Sequence, residues 1–487
     1  MNSEIRSLEP KELWNKFADL NAVPRPSKKE ERVIAFMKDF GNSLGLPVEV
    51  DGVGNVLIRK PATAGMENRK TVVMQSHLDM VHQKNADTVF NFDEQGIEMY
   101  VDGDWVRAKG TTLGADNGLG VATIMAILES KEISHPPIEA LFTIDEETGM
   151  TGAMGLKPNW LQGDILLNLD TEEDDEIGVG CAGGVDVTAE RSYKEEAVSD
   201  GKTGYTISVT GLNGGHSGMD IHKGLGNANK IMNRLLFDGF ENFGLRIQEI
   251  KGGSLRNAIP RESFATIVVD SIQAEAFEFE TAELITTIKK ELSLVEPNLL
   301  IEVRKVDAPN SVMELGVQEG ILKSIYAAHN GVYVMSASIP DLVETSNNIA
   351  KVSIGGGKIK VECLTRSSVE STKLDLVNKL RATFELVGCE VTTDGDYPGW
   401  APNMDSSILK VLDELYQKIN GERAHIAACH AGLECGILGQ NYPEMDMISF
   451  GPTILGAHSP DERASISSAK KYWGFVLEIL QNIPIKQ

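Results

Sequence analysis

Thr71-Val72-Val73-Met74-Gln75-Ser76-His77-Leu78-Asp79 begins β-branched and apolar and ends polar. A short run of this kind predicts a buried strand, with His77 and Asp79 at or just past its C-terminal end. Comparable runs occupy residues 53–58, 138–144 and 164–169, and residues 118–130 read as a helix packed on a sheet. Upstream, residues 10–20 and 28–44 have helical spacing of apolar positions. Pro10 suits a first helical position, and Ser27 suits the N-cap of the second helix. Strands alternating with helices predict an α/β fold with a mostly parallel sheet. In such sheets, sites form at the C-terminal ends of strands.

The texture changes near Val185. Strand signals at residues 205–210, 264–270 and 300–306 enclose helical spacing over 224–240 and 281–294. A like succession returns at 351–354, 358–364 and 374–387. This predicts an inserted α+β domain built of two related halves. Beyond Asp396-Tyr397-Pro398-Gly399-Trp400 the first texture resumes and ends in a helix over 467–480. The expected organisation is an α/β domain in two parts, residues 1–185 and 396–487, interrupted by an inserted domain over 186–395.

A chain of 487 residues exceeds what one hydrophobic core usually organises. Apolar residues at 41% and charged residues at 24% mark an ordinary globular chain. The 46 Lys and Arg stand against 71 Asp and Glu, for a net charge of −25. So acidic a surface repels nucleic acid and offers an anionic membrane nothing to attract. No apolar run approaches the roughly 18 residues of a membrane helix, and the N-terminus shows no secretory signal. The five cysteines are scattered without CxxC spacing, which favours a reduced compartment. Cytoplasmic residence is expected.

Five segments put His or carboxylates beside apolar strands or in turns. The first ends in His77-Leu78-Asp79. The second is Leu113-Gly114-Ala115-Asp116-Asn117-Gly118, and the third is Leu141-Phe142-Thr143-Ile144-Asp145-Glu146-Glu147-Thr148-Gly149. The fourth is Leu166-Leu167-Asn168-Leu169-Asp170, and the fifth runs from Phe450-Gly451-Pro452 to Gly456-Ala457-His458-Ser459-Pro460. Singly, an acidic residue after a strand commonly caps the next helix. Jointly, two imidazoles and several carboxylates at strand ends form the donor set of zinc. A structural zinc site would more often use thiolates. A phosphate-cradling Gly-rich loop with the following Lys-Ser/Thr is absent.

The series His-x-Asp, Gly-Ala-Asp-Asn-Gly, Asp-Glu-Glu-x-Gly, Asp-x-Glu after a strand and a distant His-Ser-Pro resembles the dinuclear-zinc metallopeptidases of the aminoacylase and carboxypeptidase type. The likeness covers nearly the whole chain, and it implies that residues 1–185 and 396–487 form the catalytic domain and residues 186–395 a lid and dimerisation domain. It implies that His77, Asp116 and Asp170 hold one Zn2+, that Glu147 and His458 hold a second, and that Asp116 bridges them. Co2+ or Mn2+ would be able to substitute. Asp79 would orient His77, and Glu146 would act as general base. The resemblance also implies a cis Asp116–Asn117 bond.

The resemblance further implies that His216, in Thr210-Gly211-Leu212-Asn213-Gly214-Gly215-His216-Ser217-Gly218, stabilises the oxyanion, often from the partner subunit of a homodimer. Asn257 and Arg366 would hold a substrate carboxylate, and Glu434 would receive its amino group. The substrate implied is a short unblocked dipeptide, including those ending in histidine. An aminotripeptidase, a glutamate carboxypeptidase or an N-acyl amino acid deacylase shares the same site chemistry. A catalytically silent zinc-binding scaffold is the reading from a different class.

Overall fold

The strand that decides the fold spans Val72–His77, and all six of its residues are buried. Burial on both faces accounts for the unbroken apolar run, because a central parallel strand is covered above and below. The computed structural model describes residues 3–486. They fall into two compact units. The first runs to Gly180 and resumes over Pro402–Ala428 and from Leu433 onward; the second comprises Cys181–Ala401 and Cys429–Gly432. The insertion is thus wider at both borders than residues 186–395. Strand Glu176–Cys181 is followed almost at once by Gly183–Ser192, so no linker marks the junction.

The first unit is built on an eight-stranded sheet. Its order is Val48–Val50, Val56–Lys60, Ile138–Thr143, Val72–His77, Ile165–Asn168, Asp446–Ser449, Glu176–Cys181 and His425–Cys429. The four central strands, from Ile138–Thr143 to Asp446–Ser449, run parallel. Antiparallel pairs flank them. The helix Ala115–Glu129 is buried at every position from Asn117 to Leu128, as expected of a helix apolar on all sides. It begins three residues earlier than the periodicity indicates. Its first turn is irregular at Asp116 and Asn117, and the bond between them is cis.

Two helix starts differ from the sequence reading. Pro10 occupies the N-cap of Lys11–Leu20 rather than its first helical position. The next helix spans Glu31–Ser43 with Glu30 at the N-cap. Ser27 instead donates its hydroxyl hydrogen bond to Asp79 Oδ2 at 2.8 Å. A fully buried carboxylate needs donors, and this demand takes the serine that local pattern assigns to the helix.

A four-stranded antiparallel sheet joins Ile454–Leu455, Arg463–Ser465, Trp105–Ala108 and Met99–Asp102. The loop between its first two strands carries His458, whose φ of +63° lies in the left-handed region.

The second unit holds a nine-stranded antiparallel sheet, with Val343–Gly355 and Lys358–Ser367 near its middle. Helices Ala228–Phe243, Ala274–Glu291, Leu315–Ala327 and Glu370–Glu385 contribute Leu236, Phe277, Ile321 and Phe384 to its core. The two rounds of strand and helix in the insertion therefore share one sheet.

Candidate metal centre

Strand register brings the polar ends together. His77 pairs with Thr143 and Gln75 with Asn168 in the parallel sheet. The residues just past these strands, Glu146, Glu147 and Asp170, consequently emerge beside His77. Asp145 (φ +53°) reverses the chain after Ile138–Thr143 and opens the turn Glu146–Gly149. Asp116 comes from the irregular first turn of Ala115–Glu129, and His458 from its loop.

The donor atoms then fall into place around Asp116. Its Oδ1 lies 3.2 Å from His77 Nε2, and its Oδ2 lies 3.1 Å from His458 Nε2. His77 Nε2 is also 3.5 Å from Asp170 Oδ1, and His458 Nε2 is 3.0 Å from Glu147 Oε2. Two triads result, His77 with Asp116 and Asp170, and Asp116 with Glu147 and His458; within each, one ligand atom per residue lies within 4.8 Å of the others. His77, Glu146 and Glu147 meet the same criterion. Asp116 belongs to both triads, with one oxygen turned to each histidine.

Asp79 ties two parts of this cluster together. His77 Nδ1 lies 3.1 Å from the Asp79 carbonyl and 3.4 Å from its Oδ1. The Asp79 carboxylate accepts the backbone N–H groups of Glu146 and Glu147 at 3.1 and 3.3 Å. One buried aspartate thus sets both the imidazole and the turn that carries the two glutamates.

The cluster is rich in negative charge that protein donors do not satisfy. Glu147 Oε1 and Asp170 Oδ1 are buried without a hydrogen-bond partner. Burial lifts Asp170 to about 6 against the pull of His77. Burial also drives Glu146 well above the carboxylate range, with Asp170, Glu147 and Glu434 adding to the effect. Glu172 is pushed up to about 8 by burial and by Asp116. Hydrogen bonds to Asp116 and Glu147 raise His458 to about 11. Buried carboxylates of this kind call for cations. Two imidazoles and three carboxylates fit a pair of divalent ions of the zinc type.

Glu434 lies in the same unit, fully buried at the start of helix Glu434–Asn441. Its Oε2 accepts hydrogen bonds from Gln75 Nε2 and Thr143 Oγ1, both at 2.6 Å, while Oε1 has no partner. Burial pushes its carboxyl up to about 8.

His216, Asn257 and Arg366 belong to the second unit. His216 pairs with Ala258 on a two-stranded ribbon, so Asn257 is close at hand; Ser217 N–H donates to the Asn257 carbonyl at 2.8 Å. The N–H groups of Gly218 and Met219 donate to His216 Nδ1 at 3.2 and 3.0 Å. Both bonds leave the ring proton on Nε2. Burial and the Arg366 charge lower His216 to about 4, which keeps the ring neutral. Arg366 donates to the Tyr397 hydroxyl at 2.8 Å.

The chain belongs to the peptidase family M20/M25/M40, whose model matches residues 73–482. It is therefore a peptidase. It is 44% identical over 484 residues to the cytosol non-specific dipeptidase of Escherichia coli strain K12, covering 99% of this chain and 100% of the relative. The crystal structure of aminoacylhistidine dipeptidase from Vibrio alginolyticus matches with a TM-score of 0.93 at 43% identity, over 100% and 99% of the two chains. The aminopeptidase PepT structure from Bacillus cereus shares the fold, with a TM-score of 0.57 at 16% identity over 98% and 99% of the two chains.

Proposed function

We propose that the protein is a zinc-dependent dipeptidase acting on short unblocked dipeptides, including those with C-terminal histidine. The observation that carries this reading is the division of the Asp116 carboxylate between His77 and His458, with Glu146 beside them. Full-length likeness to a non-specific dipeptidase and to an aminoacylhistidine dipeptidase supports the choice of substrate.

His77, Asp116 and Asp170 would hold one ion, and Asp116, Glu147 and His458 the other. When bound, such ions supply Lewis-acid polarisation of the peptide carbonyl and acidify water. Glu146 accepts a proton from the attacking water. A C–O bond forms, the C–N bond breaks, and Glu146 returns the proton to the leaving amine. Asp79 keeps His77 and Glu146 in mutual register. We assign His216 Nε2–H to the oxyanion, and Asn257 and Arg366 to the substrate carboxylate. Arginine suits that role through its planar two-point fork. Glu434 Oε1 would receive the substrate's ammonium, since a carboxyl this desolvated ionises readily only beside a cation.

We also assign the enzyme to the cytoplasm as a homodimer. A relative named for the cytosol supports the first assignment. Among the described residues, no helix is long and apolar enough to cross a membrane. If His216 acts across the dimer, a mixture of His216→Ala and Glu146→Gln chains regains activity on subunit exchange. A substrate panel tests the main reading. Free dipeptides should be hydrolysed, whereas N-acetyl amino acids and tripeptides should not. Preferential cleavage of tripeptides or of acylated amino acids would replace the proposal with an aminotripeptidase or a deacylase.

A further inference from the structure

The irregular turn that presents Asp116 is locked by side chains distant in sequence. Glu462, 2% exposed, accepts four backbone N–H bonds from it. Leu113 and Gly114 donate to Oε2 at 2.6 and 2.9 Å, and Ala115 and Asp116 donate to Oε1 at 2.7 and 3.3 Å. Gly114, at the N-cap, and the next two residues carry N–H groups that a helix start leaves without intrahelical partners, and Leu113 adds a fourth just before it. Glu462 lies four residues beyond His458, on the same loop.

The carbonyls of the turn are held from the other side by Arg25, which is 1% exposed. Its Nη2 donates to the Gly114 carbonyl at 2.5 Å, while Nη1 donates to the carbonyls of Leu78 and Asp79 at 3.1 and 3.0 Å. Asn21 Nδ2 donates to the Leu113 carbonyl at 3.0 Å, and its Oδ1 accepts from Arg25. A Cβ on Gly114 would lie 2.6 Å from Arg25 Nη2, so the turn and the guanidinium fit only with glycine there.

We propose that Glu462 and Arg25 are positioning residues that preset the Asp116 carboxylate between His77 and His458 before any ion binds. Arg25 joins the Asp116 turn to the strand end that carries His77. Glu462 joins the same turn to the loop that carries His458. All three donors of the shared arrangement are thereby fixed to one another through backbone bonds, which do not depend on the ions. The inference rests on the reading of these residues as cation ligands.

Zn2+ titration against a competing chelator, on the full-length metal-free chain, tests the proposal. Wild type should bind two Zn2+ per chain. Glu462→Gln, of the same shape, turns an N–H donor toward the N–H groups of the turn and should weaken Zn2+ binding by about tenfold or more. Under saturating Zn2+, its kcat should fall while KM for a dipeptide stays near wild type. Hydrogen exchange on wild-type metal-free protein needs no variant: the amides of Leu113–Asp116 should be strongly protected. Unchanged Zn2+ affinity in Glu462→Gln, or unprotected amides in the metal-free wild type, would overturn the positioning role. Wild type that binds no Zn2+ would instead overturn the metal-site reading.

Discussion

Asp79 Oδ1 accepts the backbone N–H of Glu146 at 3.1 Å, although 67 residues separate them. The bond matters because Asp79 also contacts His77, through its carbonyl at 3.1 Å and its Oδ1 at 3.4 Å. One buried residue thus contacts both the His77 imidazole and the turn that carries Glu146. Asp79→Asn turns an amide donor toward N–H groups or toward the Ser27 hydroxyl and should lower kcat about 10- to 100-fold. Metal content and KM should change far less. A variant with wild-type kcat would show that the bond positions nothing of consequence.

Glu146 contributes to a metal-ligand cluster without being required for either triad. Glu146→Gln should therefore retain its metal, as measured by elemental analysis, while kcat falls by about 10²- to 10⁴-fold. Loss of metal in that variant would recast Glu146 as a ligand.

Arg366 is 5% exposed and its Nε has no partner. If it grips a substrate carboxylate in the ground state, Arg366→Ala should raise KM for dipeptides roughly tenfold or more, with a smaller change in kcat. Arg366→Lys should recover little, because an ammonium lacks the two-point fork. Steady-state kinetics with an unchanged KM would remove the residue from substrate binding.

His430 gives a stability prediction within the second unit. Burial, then the charges of Arg366 and His216, push it down to about 3. An unfolded histidine titrates near 6.5. Between those values the unfolded chain binds the proton and the folded chain does not, so stability falls as pH drops. The slope from this residue is at most about 1.4 kcal/mol per pH unit. Denaturant unfolding at pH 7 and pH 5 should therefore show a shallower loss for His430→Gln than for wild type. Parallel losses would mean that His430 is already protonated in the fold.

Much of the candidate site was legible because its residues lie at strand ends. His77, Glu146, Glu147 and Asp170 each follow a short apolar run, and a parallel sheet sets such ends side by side. His458 and Asp116 were reached through their motifs rather than through periodicity. Arg25 and Glu462 were missed. Their partners are backbone carbonyls and N–H groups of a turn some 90 to 350 residues away, and no local pattern encodes them. Ser27 has the type and position of a helix cap, but the demand of a distant buried carboxylate takes its hydroxyl instead. The antiparallel pairing of the second unit was also hidden, since strand spacing says little about strand direction.

In the proposed function, peptide hydrolysis depends on two bound cations that share Asp116. The most direct measurement is dipeptide hydrolysis by protein stripped with a chelator and then titrated with Zn2+. The metal-free protein should show no turnover, and recovery should saturate at two ions per chain, with Asp116→Ala failing to recover. Undiminished hydrolysis by the metal-free protein would contradict it.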